Sequence, residues 1–187
     1  MAYISLPAPT PEMQLSARFS NPDLDYYRTP PHATKALLSV EQFHGQIWEP
    51  ACGDGAISKV LEKHGHEVRS SDIVYRGYGY GGHDFLKVRE SCDNVITNPP
   101  YCLAEDFVRA AVARSHKKVA FLLRLAFLEG QRRGPLFDET PLARVMVFRK
   151  RITMCRDGVS KKGSGHLAFA WFIWDHAHSG APTIGWI

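Results

Sequence analysis

Short apolar runs alternate with segments of helical period along most of this chain. Thr29-Pro30-Pro31 reads as a helix start, with Thr29 as the cap and proline in the first turn, and His32 to Val40 continues it. Gln46 to Glu49 is a short strand, and a glycine turn, Cys52 to Gly55, opens a helix over Ala56 to His64. Glu67 to Ser71 is a second strand that ends at Asp72. A glycine and tyrosine loop, Arg76 to Gly82, leads to a weak third strand or turn at Asp84-Phe85. Val95 to Thr97 is a fourth strand, and Leu103 to Arg114 places Leu103, Phe107, Ala110 and Ala111 on one helical face. Lys118 to Leu125 is an apolar run of the buried-strand kind. Arg144 to Phe148 and Leu167 to Trp174 read as a terminal antiparallel hairpin, with Trp171, Phe172 and Trp174 in the core. This order predicts an α/β protein with one doubly wound sheet. Residues 1–24, with Pro7, Pro9, Pro11 and Pro22, read as an irregular arm, and residues 25–187 as a single domain.

Composition narrows the class. At 187 residues, 44% hydrophobic and 22% charged, the chain suits one globular domain. It has no apolar run long enough to span a bilayer, and residues 1–20 lack the pattern of a signal peptide. Cys52, Cys92, Cys102 and Cys155 are scattered, which predicts reduced thiols and a cytoplasmic location. His64, His66, His176 and His178 have no cysteine or carboxylate at ligand spacing, so no metal is expected. Charge is uneven. Arg109 to Lys162 hold 14 Lys and Arg against 4 Asp and Glu, whereas the rest of the chain holds 9 against 15. A basic half of this kind fits a polyanion. Arg124, Arg132, Arg133, Arg149, Lys150, Arg151, Lys161 and Lys162 are the candidate phosphate contacts, each equally readable as solvated surface.

Three segments carry chemistry. Glu49 to Gly55 follows the first strand and opens a helix, where glycines permit a tight turn and close approach by a ligand. Asp72 follows Gly53 by 19 residues and ends the next strand, the position from which doubly wound folds hold a ribose. The third glycine of the dinucleotide fingerprint is missing, which favours a nucleoside without a pyrophosphate. At Asp84-Phe85 a carboxylate could accept from an adenine amine and a phenyl ring could pack on a base. Asn98-Pro99-Pro100-Tyr101 forms a stiff ledge of acceptors beside one flat ring. Such a ledge suits a planar amine held by its protons with a ring stacked on its face. The glycine turn and the ledge should face each other across a cleft at the carboxyl ends of the strands.

Tyr27-Arg28-Thr29-Pro30, Glu49 to Gly55, Asp72, Asp84-Phe85 and Asn98 to Tyr101, in this order, resemble the motifs of S-adenosylmethionine-dependent DNA amino-methyltransferases, most of all the small phage-type adenine-N6 enzymes. The resemblance implies a Rossmann-like class I domain with a mixed, mostly parallel seven-stranded sheet and helices on both faces. It implies that Tyr27, Thr29, Pro30, Glu49, Ala51, Cys52, Gly53, Gly55, Asp72, Ile73, Asp84, Phe85 and Asn98 hold S-adenosylmethionine, released as S-adenosylhomocysteine, without a metal. Asn98 and the Pro99 carbonyl would take the two N–H groups of the target amine, Pro100 would stiffen the ledge, and Tyr101 would stack on a flipped base in duplex or single-stranded DNA. The ledge marks amino-group methylation in general. Cytosine-N4, RNA and protein-glutamine substrates share it, and a non-catalytic nucleic-acid-binding module could retain it. Cytosine-C5 chemistry is disfavoured because no Pro-Cys dipeptide occurs. About a dozen residues follow the last expected strand, too few for a target-recognition domain, so relaxed sequence specificity is expected. The sequence leaves monomer and homodimer open.

Overall fold

A computed structural model describes residues 26–156 and 167–187. The expected arm over residues 1–24 and the candidate contacts Lys161 and Lys162 lie outside these residues. The described elements are β1 (Tyr27–Arg28), α1 (Pro31–Val40), β2 (Ile47–Glu49), α2 (Ser58–Lys63), β3 (Val68–Ser70), β4 (Cys92–Thr97), α3 (Ala104–Arg114), β5 (Ser115–Arg124), α4 (Gly134–Glu139), β6 (Leu142–Val147), β7 (Cys155–Arg156), β8 (Phe169–Asp175) and β9 (Thr183–Trp186). Seven strands form one sheet in the order β3-β2-β4-β5-β8-β6-β9. β2 runs parallel to both β3 and β4, and β4 to β5. β8 runs antiparallel to its neighbours β5 and β6, and β9 runs parallel to β6. β8 is therefore the reversed strand of an otherwise parallel sheet.

Both faces of the sheet are covered, which is why its central strands read as unbroken apolar runs rather than as alternation. Along β5, Val119, Phe121 and Leu123 point to one face and Ala120 and Leu122 to the other. α3 covers the first face through Phe107, Val108 and Ala111. α1 and α2 cover the second through Ala33, Leu37 and Leu61. Trp171, Phe172 and Trp174 are fully buried, as the sequence predicts. The buried indoles keep their N–H groups bonded: Trp171 donates to the Ala33 carbonyl at 2.8 Å and Trp174 to Thr140 Oγ1 at 3.0 Å.

Four details refine the sequence reading. Of the strand or turn expected near Asp84-Phe85, the turn is what forms, and the only sheet pairing of the preceding loop among the described residues is a bridge between Ser71 and Tyr80. The expected C-terminal antiparallel pair forms between β6 and β8, and β9 follows it as an added edge strand. β1 pairs antiparallel with β7 in a separate two-stranded ribbon. Thr29 does not cap α1: Pro30 occupies the cap position with no side-chain hydrogen bond. No helix among the described residues is long and apolar enough to cross a membrane.

Candidate functional site

At the carboxyl ends of β2 and β4 the chain encloses a cavity of about 210 Å³. Its walls are the β2 turn (Glu49, Ala51, Cys52, Asp54), the end of β3 (Asp72, Ile73), the Asp84-Phe85 turn, Asn98 and Pro100, and the segment Tyr26 to Thr29. Most of the expected cofactor residues thus meet in one place, although they come from five segments. Asp72 ties two of these together, accepting the Gly53 N–H on Oδ2 at 2.8 Å and the Val74 N–H on Oδ1 at 2.9 Å.

Gly53 and Gly55 adopt φ of 56° and 79°, which glycine tolerates without cost. They do not line the cavity. A Cβ on Gly53 would stand 2.3 Å from the Tyr26 ring, and one on Gly55 would stand 2.4 Å from the Tyr78 ring. The close approach expected of a ligand at this turn is therefore made by two tyrosines. Burial pushes both phenols up to about 12, with Asp54 and Glu62 adding to the effect. Asp54 pairs with Arg28 Nε at 2.6 Å through Oδ2, and its buried Oδ1 has no partner among the described residues.

The Glu49 carboxylate turns towards α2, accepting the Ser58 N–H at 2.8 Å and the Ser58 hydroxyl. Full burial holds this acid well above the usual carboxylate range. Cys52 is buried and its thiol is raised to about 12 by burial and by Glu49, whereas Cys102, next to the ledge, is exposed. Asp84 accepts the Leu86 N–H at 3.1 Å, and Lys87 at 2.9 Å holds it below its ordinary value. Phe85 is buried edge-on against Trp48 at 5.0 Å, so its ring is core as well as cavity wall. Pro30 and Pro99 stand outside the cavity lining.

Asn98 is the best-defined group of the site. Its Nδ2 donates to the Tyr27 carbonyl at 3.1 Å and to Thr29 Oγ1 at 3.0 Å. Its Oδ1 is buried and has no partner among the described residues. Tyr101 lies outside the cavity lining, with Tyr27 at 5.7 Å and Phe169 at 5.9 Å from its ring centre. The Arg124 guanidinium stands over one face of that ring, 4.7 Å from its centre.

Of the remaining candidate contacts, Arg133 is spent on the fold: Nη1 donates to the carbonyls of Ala126, Phe127 and Glu129 at 3.1, 2.7 and 2.7 Å. Arg132 is exposed, as are Arg149, Lys150 and Arg151 just beyond the carboxyl end of β6. Sequence reasoning missed Trp186, which is 57% exposed and pairs with Val147 at that same end of the sheet. A four-residue strand containing glycine gave too little alternation to find it.

No family model and no curated protein matches the sequence. Solved structures do match. A proposed RNA methyltransferase from Pyrococcus horikoshii is 16% identical with a TM-score of 0.64, over 89% of this chain and 98% of that one. The modification subunit of a proposed type I restriction enzyme from Vibrio vulnificus YJ016 is 13% identical with a TM-score of 0.62, over 94% of this chain and 50% of that one. A proposed class I S-adenosylmethionine-dependent methyltransferase from Listeria monocytogenes is 11% identical with a TM-score of 0.63, over 94% of this chain and 72% of that one. The chain has the class I methyltransferase fold. In this methyltransferase fold the cavity lies where an open α/β sheet binds its ligands, beyond the carboxyl ends of the strands.

Proposed function

We propose that this protein transfers the methyl group of S-adenosylmethionine to the exocyclic N6 amine of adenine in DNA. The observation that carries the reading is the Asn98 amide, whose two N–H groups are used and whose buried oxygen is left without a partner. A buried acceptor without a donor costs about 1–3 kcal/mol, so it calls for a ligand N–H. An amine supplies one.

The cavity fits the cofactor. Asp54 Oδ1 is a second buried acceptor without a partner, and Asp72 keeps lone pairs beyond its two backbone bonds. Hydroxyl and ammonium donors of an adenosyl amino acid match this acceptor-rich lining, and Ile57, Ile73, Leu103 and Phe107 give apolar wall for a base. Asp72 would hold the ribose, with Glu49, Ala51, Cys52, Ile73, Asp84 and Phe85 around the nucleoside and Tyr27 and Thr29 at the methionine end. When bound, S-adenosylmethionine supplies an electrophilic methyl group.

The chain then has to present a nucleophile. Asn98 Oδ1 accepts one N–H of the amine and the Pro99 carbonyl accepts the other, which draws the nitrogen towards tetrahedral geometry and frees its lone pair from the ring. Positioning of this kind carries much of the rate gain. For the base to stack on Tyr101, Arg124 must leave the ring or become the second slab of a sandwich. The exposed Arg132, Arg149, Lys150 and Arg151 would hold phosphates of the flanking strand. Adenine in DNA is favoured over the other amines by the Asn98-Pro99-Pro100-Tyr101 motif together with the basic second half of the chain.

The test is incubation with S-adenosylmethionine and unmethylated DNA, followed by nucleoside mass spectrometry. N6-methyladenine is expected. Asn98→Ala should lower its rate at least about 100-fold with S-adenosylhomocysteine binding retained. N4-methylcytosine would move the base and keep the chemistry. Cofactor binding with no methylated nucleoside would sink the DNA reading.

A further inference from the structure

An asparagine amide has two ends of nearly equal shape and opposite character. A half-turn about its last bond would put the NH₂ of Asn98 where its oxygen now lies, facing a substrate amine donor to donor. The chain prevents this from behind, with a segment 69 residues away in sequence. The Tyr27 carbonyl, 3.1 Å from Nδ2, can only accept. An oxygen turned towards it would set two acceptors against each other. The Thr29 hydroxyl, 3.0 Å from Nδ2, is buried and takes the second N–H. Thr29 has no competing duty as a helix cap.

We infer that Tyr27 to Thr29 form the positioning element of the reaction, with the Tyr27 carbonyl choosing the orientation of the Asn98 amide and the Thr29 hydroxyl locking it. This rests on the methyl-transfer reading above and adds a residue that acts through Asn98. The segment is itself held at three places. β1 pairs with β7, Arg28 binds Asp54 at 2.6 Å, and the Tyr26 ring fills the space over Gly53. One strap therefore touches both the cofactor turn and the amide that receives the amine. The amide is aimed before any base arrives, so reorientation adds nothing to the barrier.

Thr29→Val keeps the shape and removes the hydroxyl, and Thr29→Ser keeps the hydroxyl. Thr29→Val should lower kcat on DNA about 10- to 100-fold, a larger factor than any rise in the Kd for S-adenosylhomocysteine, and Thr29→Ser should restore most of the rate. Full kcat in Thr29→Val overturns the inference. So does a loss of cofactor affinity that matches the loss of rate and is not restored by serine, since Thr29 would then be cavity wall alone.

A second measurement needs neither turnover nor a folded variant at position 29. The Asn98 side-chain NH₂ signals, assigned by their absence in Asn98→Ala, should exchange slowly with solvent in the unliganded wild type. Exchange as fast as that of a solvent-exposed amide overturns the clamp. Slow exchange in a protein that methylates no nucleic acid would leave the clamp standing and remove the function proposed for it.

Discussion

Glu49 was read from the sequence as a cofactor ligand, and the structure gives its carboxylate a second task. Both Ser58 donors converge on Oε2, and the group lies buried with its acid held well above the usual range. The sign of the pH effect follows. Below the ordinary carboxylate value of 4.5 the folded and unfolded chains both hold the proton, and the group's full contribution to stability is present there. That contribution is lost as pH rises from there through the folded value. Glu49→Gln retains an acceptor for Ser58 and removes the titration. The two proteins should melt alike at pH 4, and the variant should become the more stable one as pH rises. Their difference can grow by at most about 1.4 kcal/mol per pH unit. Thermal melts across pH 4 to 8 read this directly, and parallel curves would show that Glu49 ionises freely in the folded state.

Elements were legible to the degree that burial shaped them. β4, β5 and β8 lie inside the sheet with both faces covered, so their apolar runs stood out. β9 escaped notice because it is an edge strand whose Ile184 and Trp186 are exposed. The ribbon of β1 and β7 escaped because its two-residue strands join segments far apart in the chain. β9 nevertheless closes the sheet. The Ile187 N–H donates to the Val147 carbonyl at 2.9 Å, the Arg149 N–H donates to the Ile187 carbonyl at 2.8 Å, and the partly buried Ile187 side chain packs against the core cluster that includes Trp171. Deleting residues 183–187 should cost about 1–3 kcal/mol, the scale of losing a half-buried aliphatic side chain and the backbone hydrogen bonds of an edge strand. A shift in the urea midpoint measures it, and a midpoint within error of the parent would make β9 a passive edge.

Across the whole molecule, charge follows the winding of the sheet. β2, β3 and β4 come from residues 47–97, and β5, β6, β8 and β9 from residues 115–186. Each half of the sequence therefore becomes one side of the sheet, and the charge imbalance seen in the sequence becomes a spatial one. Glu49, Asp54, Asp72 and Asp84 gather at the cavity, while Arg124, Arg149 and Lys150 lie on the other side. Under the methyl-transfer reading proposed above, a sulfonium cofactor and a polyanionic substrate would be drawn to different sides of the sheet. Asp72 and Asn98 were legible because strand order alone places them, whereas the contact of Asn98 with Thr29 depends on a fold that brings distant segments together.

The thiols divide by burial. Cys52 and Cys92 are buried, with burial pushing them up to about 12 and about 11, so at neutral pH both stay protonated and shielded. Cys102 is exposed and directly follows Tyr101. Of Cys52, Cys92 and Cys102, a maleimide dye should therefore couple first to Cys102, and quantitative mass spectrometry of the labelled peptides would show it. A fluorophore at that position would sit beside the ring on which Arg124 now rests, and the arrival of the nucleobase proposed for that ring would be read as a change in light.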